Sequence, residues 1–463
     1  MLAVLITGQF MALLDVTIVN VAIPTIQEKL HASGAALQLV VAGYTVTYAM
    51  LLITSARLGD LRGPRNLFLT GLGTFTIASL VCGLAPNTAT LVVARFVQGA
   101  GAAMMIPQIL SVIQRQFTGA DRTRALGVYA ATLASGAVVG QVVGGVLVSA
   151  NLLGTTWRPV FLVNVPVGAV AAVLVPRLVP ADRTPARRRL DLTGLLTATL
   201  AVLLVVLPLV LGHEQGWPAW TWASLALGLG LAGAFVLLER SLAARGGDPL
   251  LNLRVFGAPG LAAGLAALAA AMIAFGGFLF SLSLHLQVGL ADSPLRAGLT
   301  FAPGAAAFGA LGYWWRRLPS RVHHALAPAG FLVGALSYVG LAADLHEGTR
   351  GGPLLFVLFV IFGMGFGAAY SSLVAHALVR VPPAEAADAS GLLTTTIQLS
   401  QVIGVAVFGS LFLSLAAHPR PHASAVAFST VDLWLAALTL LAIAGALPLA
   451  RTVRRAMRPA ATN

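Results

Sequence analysis

Long apolar segments, separated by short polar breaks, run through the whole 463-residue chain. Hydrophobic residues occupy 58% of the positions and charged residues only 9%, whereas soluble domains carry about 25% charged residues. A bilayer core of about 30 Å takes about 20 apolar residues per helix. The segments reach this length without the period-two alternation of barrel strands. We therefore expect an all-α membrane protein.

The apolar segments predict fourteen transmembrane helices. They span about residues 3–23, 38–56, 67–85, 90–113, 125–149, 159–179, 191–211, 220–238, 258–286, 297–314, 324–342, 354–379, 389–415 and 430–450.

Two neighbouring predicted helices recur later in the chain. The segment Gln98–Ala103 is similar to Met364–Ala369, at an offset of 266. Four residues of the next helix recur at an offset of 264, as Ala125, Gly127, Gly140 and Gly145 match Ala389, Gly391, Gly404 and Gly409. This interval corresponds to eight predicted helices. We therefore expect two six-helix bundles with pseudo-two-fold symmetry, at residues 1–180 and 257–463, separated by a linker and an inserted helix pair at 181–256.

The 28 basic residues are distributed unevenly between alternate connections. If the amino terminus is cytoplasmic, five of them face the opposite side, Arg95 lies inside a helix, and the remaining 22 face the cytoplasm with both termini. An arginine excess in short loops marks the cytoplasmic side. Topology therefore explains most of the net charge of +13, with contacts to anionic membrane lipids as a smaller contribution, and nucleic-acid binding gains no support.

Several function classes lack the residues that they need. A phosphate-binding loop requires a lysine in a glycine framework, and Lys29, the single lysine, has none. The single cysteine, Cys82, excludes a disulfide framework and a cysteine-rich metal site, and the nine histidines show no metal-ligand spacing. We find no grouping of nucleophile, acid and base. We expect no enzymatic activity, no cofactor and no resident metal.

Asp15 and Arg95 are the charged residues that fall clearly inside predicted helices. An intramembrane charge costs about 2.5–3.5 kcal/mol on insertion scales, so such residues are functional candidates. Thr17 and Asn20 complete a polar set on the first helix. A buried carboxylate beside an arginine can change protonation when its hydration or its partner changes, which favours proton coupling, while a fixed structural ion pair stays open. The second half shows no clear mid-membrane acid, and His285 falls near a helix end.

Polar residues inside other predicted helices are candidates for the lining of a central substrate cavity. Polar intramembrane side chains face the bundle interior or a water-filled cavity. Interhelical hydrogen bonding without ligand contact is an equal alternative. Together with Thr17 and Asn20, the candidates are Gln98, Tyr370, Thr395, Gln398 and Gln401.

Glycines of the fifth predicted helix form a small-residue face. Gly136, Gly140 and Gly144 are spaced by four residues, with Gly145 beside them. Such a face lets another helix backbone approach closely. It would act as a seal or hinge between the two bundles, or serve ordinary tight packing.

The connection Ala56–Arg65 resembles the loop signature of the major facilitator superfamily, from which it departs at its first position and at Pro64. Asp60 and Arg65 can make charge contacts that hold neighbouring helices in one inward-closed arrangement, and Gly63 permits a tight turn. Together with the glycine face, these residues are candidates for a conformational gate. The alternative is that the basic residues of this loop only determine the orientation of the chain in the membrane.

Further segments resemble signatures of the fourteen-helix drug:proton antiporter branch of this superfamily. Gln141 departs from that pattern, which has proline at this position and associates the motif with antiport. The matching segments are Leu14–Pro24, Arg95–Ala103, Gly136–Gly145, Leu286–Gln287, Ser293–Pro294, Ala297–Leu299, Val381–Pro383 and Ala389–Leu392.

The resemblance implies a secondary active transporter that exports hydrophobic or amphipathic drugs or antibiotics by alternating access. Protons and a small organic compound would be its partners, with Asp15 as the coupling group assisted by Arg95. It also implies a multi-pass protein of the bacterial inner membrane, which we expect to be a monomer. A proton-independent facilitator or importer of a natural metabolite stays open, because of Gln141 and the missing second acid.

Overall fold

The computed structural model describes residues 1–32, 34–150, 154–181, 191–212, 215–247, 249, 253–378, 381, 386–416 and 421–457. The side chains of Asn20, Asp60, Gln141 and Gln398 lie outside the described set, so the expectations for these positions stay predictions. In the described ranges the secondary structure is helical, without a strand. The predicted all-α membrane fold is confirmed.

The chain forms two compact units. The first comprises Met1–Asn252 with Ser293–Gly298, and the second comprises Leu253–Asp292 with Leu299–Asn463. The domain boundaries predicted from the sequence stay a prediction.

The first unit contains nine helices in its described part. They are α1 (Leu2–Leu30), α2 (Gly34–Arg62), α3 (Pro64–Leu84), α4 (Thr88–Gln116), α5 (Gly119–Ala150), α6 (Pro159–Leu162), α7 (Asn164–Leu178), α8 (Leu192–Leu211) and α9 (Ala219–Ala244).

The second unit starts with a 3-10 turn at Leu253–Gly257, and a π-helical turn at His285–Gly289 continues its first long helix. Its α-helices are α10 (Leu261–Leu284), α11 (Pro294–Trp314, of which the part up to Gly298 belongs to the first unit), α12 (Ser320–His323), α13 (Leu326–Leu345), α14 (Pro353–Leu378), α15 (Ala386–Leu415) and α16 (Pro421–Met457).

Every apolar segment of the sequence corresponds to helical structure. Within the described residues, 11 helices are long and apolar enough to cross a membrane. The helices α2, α5 and α11 are not among them. The multi-pass character of the protein is therefore clear, and the count of fourteen crossings stays a prediction.

The helix pair α8 and α9 packs within the first unit. The hydroxyls of Thr54 and Thr199 lie 3.2 Å apart and connect α2 with α8. Ser224 donates to the carbonyl of Leu204 at 2.8 Å, which connects α9 with α8. Side-chain hydroxyls thus fasten the predicted inserted pair to the amino-terminal helices.

Glycines bring the helices of the first unit into close contact. A Cβ atom on Gly99 of α4 would lie 2.3 Å from the carbonyl oxygen of Tyr44 in α2. One on Gly101 would lie 2.6 Å from the amide nitrogen of Phe75 in α3. Because real Cβ atoms do not approach backbone this closely, α4 can pack between α2 and α3 only with glycine at these positions.

The second unit repeats this packing and corrects the repeat offset. A Cβ atom on Gly363 of α14 would lie 2.0 Å from the carbonyl oxygen of Gly304 in α11, and one on Gly365 would lie 2.9 Å from that of Gly330 in α13. Gly363 thus corresponds to Gly99, 264 residues earlier. The offset of 266 inferred for this helix is therefore two residues too long. The corrected offset of 264 equals that of the next helix.

Two apolar clusters form the interior of the first unit. On α1, Met11 and Ala12 belong to one cluster, and Leu14 and Ile18 belong to the other. On α4, residues after Gln98 enter the first cluster and residues before it enter the second. The polar site described below therefore lies where the two clusters meet.

Candidate functional site

Asp15 of α1 and Arg95 of α4 form a fully buried ion pair. The exposed fraction is 0% for Asp15 and 1% for Arg95. Arg95 Nη1 donates to Asp15 Oδ2. The two residues that the sequence identified are thus brought together across 80 positions of the chain.

Gln98 lies one helical turn after Arg95 and bridges both members of the pair. Its Oε1 accepts from Arg95 Nη1 at 2.8 Å. Its Nε2 donates to Asp15 Oδ1 at 2.7 Å and to Ser79 Oγ on α3 at 2.8 Å. The sequence predicted Gln98 as a cavity residue, and the structure places it in this buried network. Its contact with substrate stays a prediction.

Asn164 supplies a further donor from the start of α7. Its Nδ2 lies 3.2 Å from Asp15 Oδ1, and its exposed fraction is 2%. The sequence analysis did not select Asn164 or Ser79. A lone asparagine inside the apolar segment 159–179 was a usable signal, whereas a serine in a membrane helix was not.

Arg95 keeps partners other than the carboxylate. Its Nε donates to the carbonyl of Val40 at 2.8 Å. The guanidinium carbon also lies 4.6 Å from the ring centroid of Tyr44 and 5.7 Å from that of Phe161. An arginine over aromatic faces gains cation–π stabilisation of about 0.5–2 kcal/mol. These contacts add to the ion pair in positioning the guanidinium group.

The glycine face of α5 packs against α1, the helix that carries Asp15. A Cβ atom on Gly136 would lie 2.8 Å from Leu13 Cβ, and one on Gly144 would lie 2.8 Å from Ile18 Cγ1. At Gly140 the added atom would lie 2.0 Å from Thr17 Oγ1.

The face therefore fixes the position of α1 within the first unit. Gly145 is buried beside it. The hydroxyl of Thr17 donates to its own helix, 3.2 Å from the carbonyl of Leu14. Its predicted role in a substrate cavity and the gate role of the glycines stay predictions.

The signature loop is a single-residue turn. Gly63 has φ 87° and ψ 131° and separates α2 from α3. Arg65 follows in the first turn of α3 and is half-buried. Arg57, which the sequence analysis counted among loop arginines, is only 4% exposed, and its Nη2 donates to the carbonyl of Pro249 at 2.8 Å. A buried arginine thus attaches α2 to the segment that follows α9.

The remaining predicted cavity residues lie in the second unit. Tyr370 is buried, with its ring 5.9 Å from that of Phe308. Thr395 and Gln401 of α15 are half-buried, and Gln401 Nε2 lies 3.8 Å from Met272 Sδ. Their contact with substrate stays a prediction.

The expectation that the second half lacks a mid-membrane acid is wrong. Asp432 lies eleven residues after the start of α16 at Pro421 and has an exposed fraction of 0%. The sequence analysis started this helix near residue 430, only two residues before the acid, and did not select Asp432. A predicted helix that began at Pro421 would have placed Asp432 inside an apolar segment.

No group of three or more histidine, cysteine, aspartate or glutamate residues within the described part of the chain could hold a metal ion. The site around Asp15 is instead a carboxylate with three side-chain donors, from Arg95, Gln98 and Asn164. These donors favour the charged form of the carboxylate.

The sequence profile of the Major Facilitator Superfamily matches residues 5–405 of the chain. The chain belongs to this superfamily. It is therefore a multi-pass membrane transport protein of small molecules and not an enzyme.

Curated relatives of this superfamily member extend over most of its length. It is 36% identical over 424 residues to the probable actinorhodin transporter of Streptomyces coelicolor, covering 89% of this chain and 72% of the relative. It is 36% identical over 410 residues to a cephamycin export protein of Amycolatopsis lactamdurans, covering 87% and 82%. It is 31% identical over 435 residues to the methylenomycin A resistance protein of Streptomyces coelicolor, covering 93% and 88%.

A solved transporter shows the same fold. The crystal structure of the POT family transporter PepTSo superposes with a TM-score of 0.65 at 14% identity, covering 98% of both chains. At this identity the likeness concerns the fold alone.

Proposed function

We propose that this superfamily member is a proton-coupled exporter of small hydrophobic or amphipathic compounds, antibiotics among them, that works by alternating access. Two of the relatives are named as an antibiotic transporter and an antibiotic exporter, and a third as an antibiotic resistance protein. The observation that carries proton coupling is the buried pair of Asp15 and Arg95 with its Gln98 bridge.

The energetics of this pair suit a coupling group. Removing one partner from a buried ion pair costs about 3–5 kcal/mol, so Asp15 holds a negative charge only while Arg95 faces it. Protonation of Asp15 replaces the ion pair by a neutral acid. Arg95 then keeps the Val40 carbonyl, the Gln98 amide and the Tyr44 ring. One proton thus changes what connects α1 to α4.

The remaining assignments are part of the same proposal. The gate consists of Asp60, Gly63 and Arg65 with the glycine face of α5. Substrate is bound by residues among the candidates for the cavity lining, which are Thr17, Asn20, Gln98, Tyr370, Thr395, Gln398 and Gln401.

The topology proposed for the chain follows its basic residues. Both termini face the cytoplasm of a bacterial plasma membrane, because 22 of the 28 basic residues then lie on the cytoplasmic side. The protein acts as a monomer, with anionic lipids along its inner surface.

Transport in sealed proteoliposomes tests the proposal, with ethidium as the probe. The wild type and Asp15→Asn are compared with Asp121→Asn, which removes an exposed acid of α5. We expect an imposed proton gradient to drive ethidium transport across the vesicle membrane in the wild type and in Asp121→Asn. In Asp15→Asn the transport rate falls to that of passive leakage. Undiminished gradient-driven transport in Asp15→Asn contradicts the assignment.

Proton release separates export by antiport from facilitated diffusion. Ethidium added to the solubilised wild type in weakly buffered solution releases protons if the proposal is correct. Transport without proton release, and independent of the gradient, would instead establish a facilitator. Growth inhibition by a panel of antibiotics in a pump-deficient host then identifies the substrates.

A further inference from the structure

A second buried acid lies in the carboxy-terminal unit, outside the site described above. Asp432 has an exposed fraction of 0%, and neither of its carboxyl oxygens has a hydrogen-bond partner among the described residues. The hydroxyl of Tyr338 and the Nε2 atom of His285 are also buried without partners in this part of the chain. Native structures leave few such groups unsatisfied, so a cluster of them calls for a ligand or a proton.

The packing of α13 against α16 places Asp432 opposite Tyr338. Ser429 donates to the carbonyl of Ala342 at 2.8 Å. Ten residues later, Thr439 Cγ2 lies 4.0 Å from a Cβ atom placed on Gly334. The two helices therefore run antiparallel. Asp432 lies one turn beyond Ser429, and Tyr338 lies one turn before Ala342, so the two residues lie at a similar level of the two helices.

His285 extends this cluster along α16. Its Nδ1 lies 2.8 Å from Ser424 Oγ, and its ring stacks on Phe428 at 5.1 Å and 14°. Ser424, Phe428 and Asp432 are spaced by four residues and share one face of α16. The face that holds His285 thus also carries the acid.

No cation faces Asp432 in the described part of this unit. The adjacent α10 carries no ionisable residue, and the described side chains of α15 add none. The other titratable or charged groups on the neighbouring helical segments and on α16 itself, among the described side chains, are His285, Tyr338, Asp344, Tyr370, His376, His422 and Arg451. Asp432 forms an ion pair with none of them, in contrast to Asp15, which has Arg95.

We propose that Asp432 is a second proton-binding site, independent of Asp15, and that the unpartnered hydroxyl of Tyr338 on the facing helix hydrogen-bonds to it when it takes up its proton. An isolated carboxylate in an apolar interior is too costly to keep, so the group takes up a proton and becomes neutral. The proton forms an O–H bond to one carboxyl oxygen and returns to water when the site is hydrated. The chain then holds one acid balanced by an arginine and one balanced by a proton.

Infrared difference spectroscopy of the purified full chain tests this proposal through the C=O stretch of a protonated carboxyl group. At about pH 7, where ordinary carboxyl groups are ionised, the wild type and the control Asp121→Asn show this band. Asp432→Asn lacks it. The band of the wild type decreases as the pH is raised into the alkaline range. Tyr338→Phe shifts its frequency, because the phenol hydroxyl is no longer available to donate a hydrogen bond to the protonated acid.

Other results overturn the proposal. A band that Asp432→Asn leaves unchanged assigns the proton elsewhere. A band that persists at alkaline pH shows a permanently neutral acid. If Asp432→Asn does not fold, Tyr338→Phe provides the test. A C=O stretching frequency that is unchanged in Tyr338→Phe then contradicts the proposal. Asp15→Asn retains the band, because the band comes from Asp432. The proposal for Asp432 can therefore fail or succeed independently of the proposed transport coupling at Asp15.

Discussion

Gln98 Nε2 lies 2.7 Å from Asp15 Oδ1 and donates a hydrogen bond to it. The same side chain accepts from Arg95, so one amide stabilises both charges of the ion pair. Because donors to a carboxylate favour its charged form, Gln98 stabilises the charged form of Asp15.

Gln98→Leu removes that donor and leaves the volume nearly unchanged. We expect the charged form of Asp15 to be less stable, so that the midpoint of the pH profile of gradient-driven transport moves to higher pH. Ser79→Ala, which removes only the outer partner of the amide, serves as the control and shifts the profile less. An unchanged profile in Gln98→Leu would contradict the bridging role.

Asp15→Asn leaves Arg95 as an uncompensated buried charge, which costs about 3–5 kcal/mol. We expect the thermal unfolding temperature of the purified protein in detergent to decrease. Adding Arg95→Gln restores charge balance, so the double variant recovers most of the lost unfolding temperature but not gradient-driven transport. A double variant that unfolds at the temperature of Asp15→Asn would exclude the ion pair as the cause.

Gly140→Ala places a Cβ atom 2.0 Å from Thr17 Oγ1 and 2.9 Å from the carbonyl oxygen of Leu14. Overpacking of this kind costs about 1–3 kcal/mol, and it displaces the helix that carries Asp15. We expect a lower unfolding temperature and slower transport. Thr17→Ala added to this variant restores part of both.

Gly233→Ala in α9 is the matched control, because its added Cβ atom meets nothing within 4 Å. It is expected to be neutral or to stabilise the helix by about 0.5–1 kcal/mol. Equal effects of the two substitutions on unfolding would show that the approach of α5 to α1 does not limit stability.

Gly63→Ala tests the turn between α2 and α3. With φ 87° the position lies in a region that side chains disfavour, at a cost of about 1–3 kcal/mol. We expect a lower unfolding temperature and reduced ethidium transport. The control is Gly73→Ala in α3, where the added atom is in open space. Transport that is equal in both variants would remove Gly63 from the proposed gate.

The local sequence pattern was sufficient to locate the helices and the two charged members of the polar site. A run of about 20 apolar residues has one low-energy form in a bilayer, because each backbone amide and carbonyl must be satisfied within the segment. A charge inside such a run stands out for the same reason, which is how Asp15 and Arg95 were found. Asp432 was missed because the polar residues around it moved the predicted start of its helix.

The partners of these charges depend on contacts between distant segments. Nothing in the sequence connects Asn164 with Asp15, 149 residues away, or the carbonyl of Pro249 with Arg57. Helix periodicity and hydropathy describe one segment at a time, whereas hydrogen-bond partners follow from the packing of several helices. The amino-acid order therefore specified which segments enter the membrane and which charges are costly there, and only the assembled fold showed which charge is neutralised by an arginine and which is left alone.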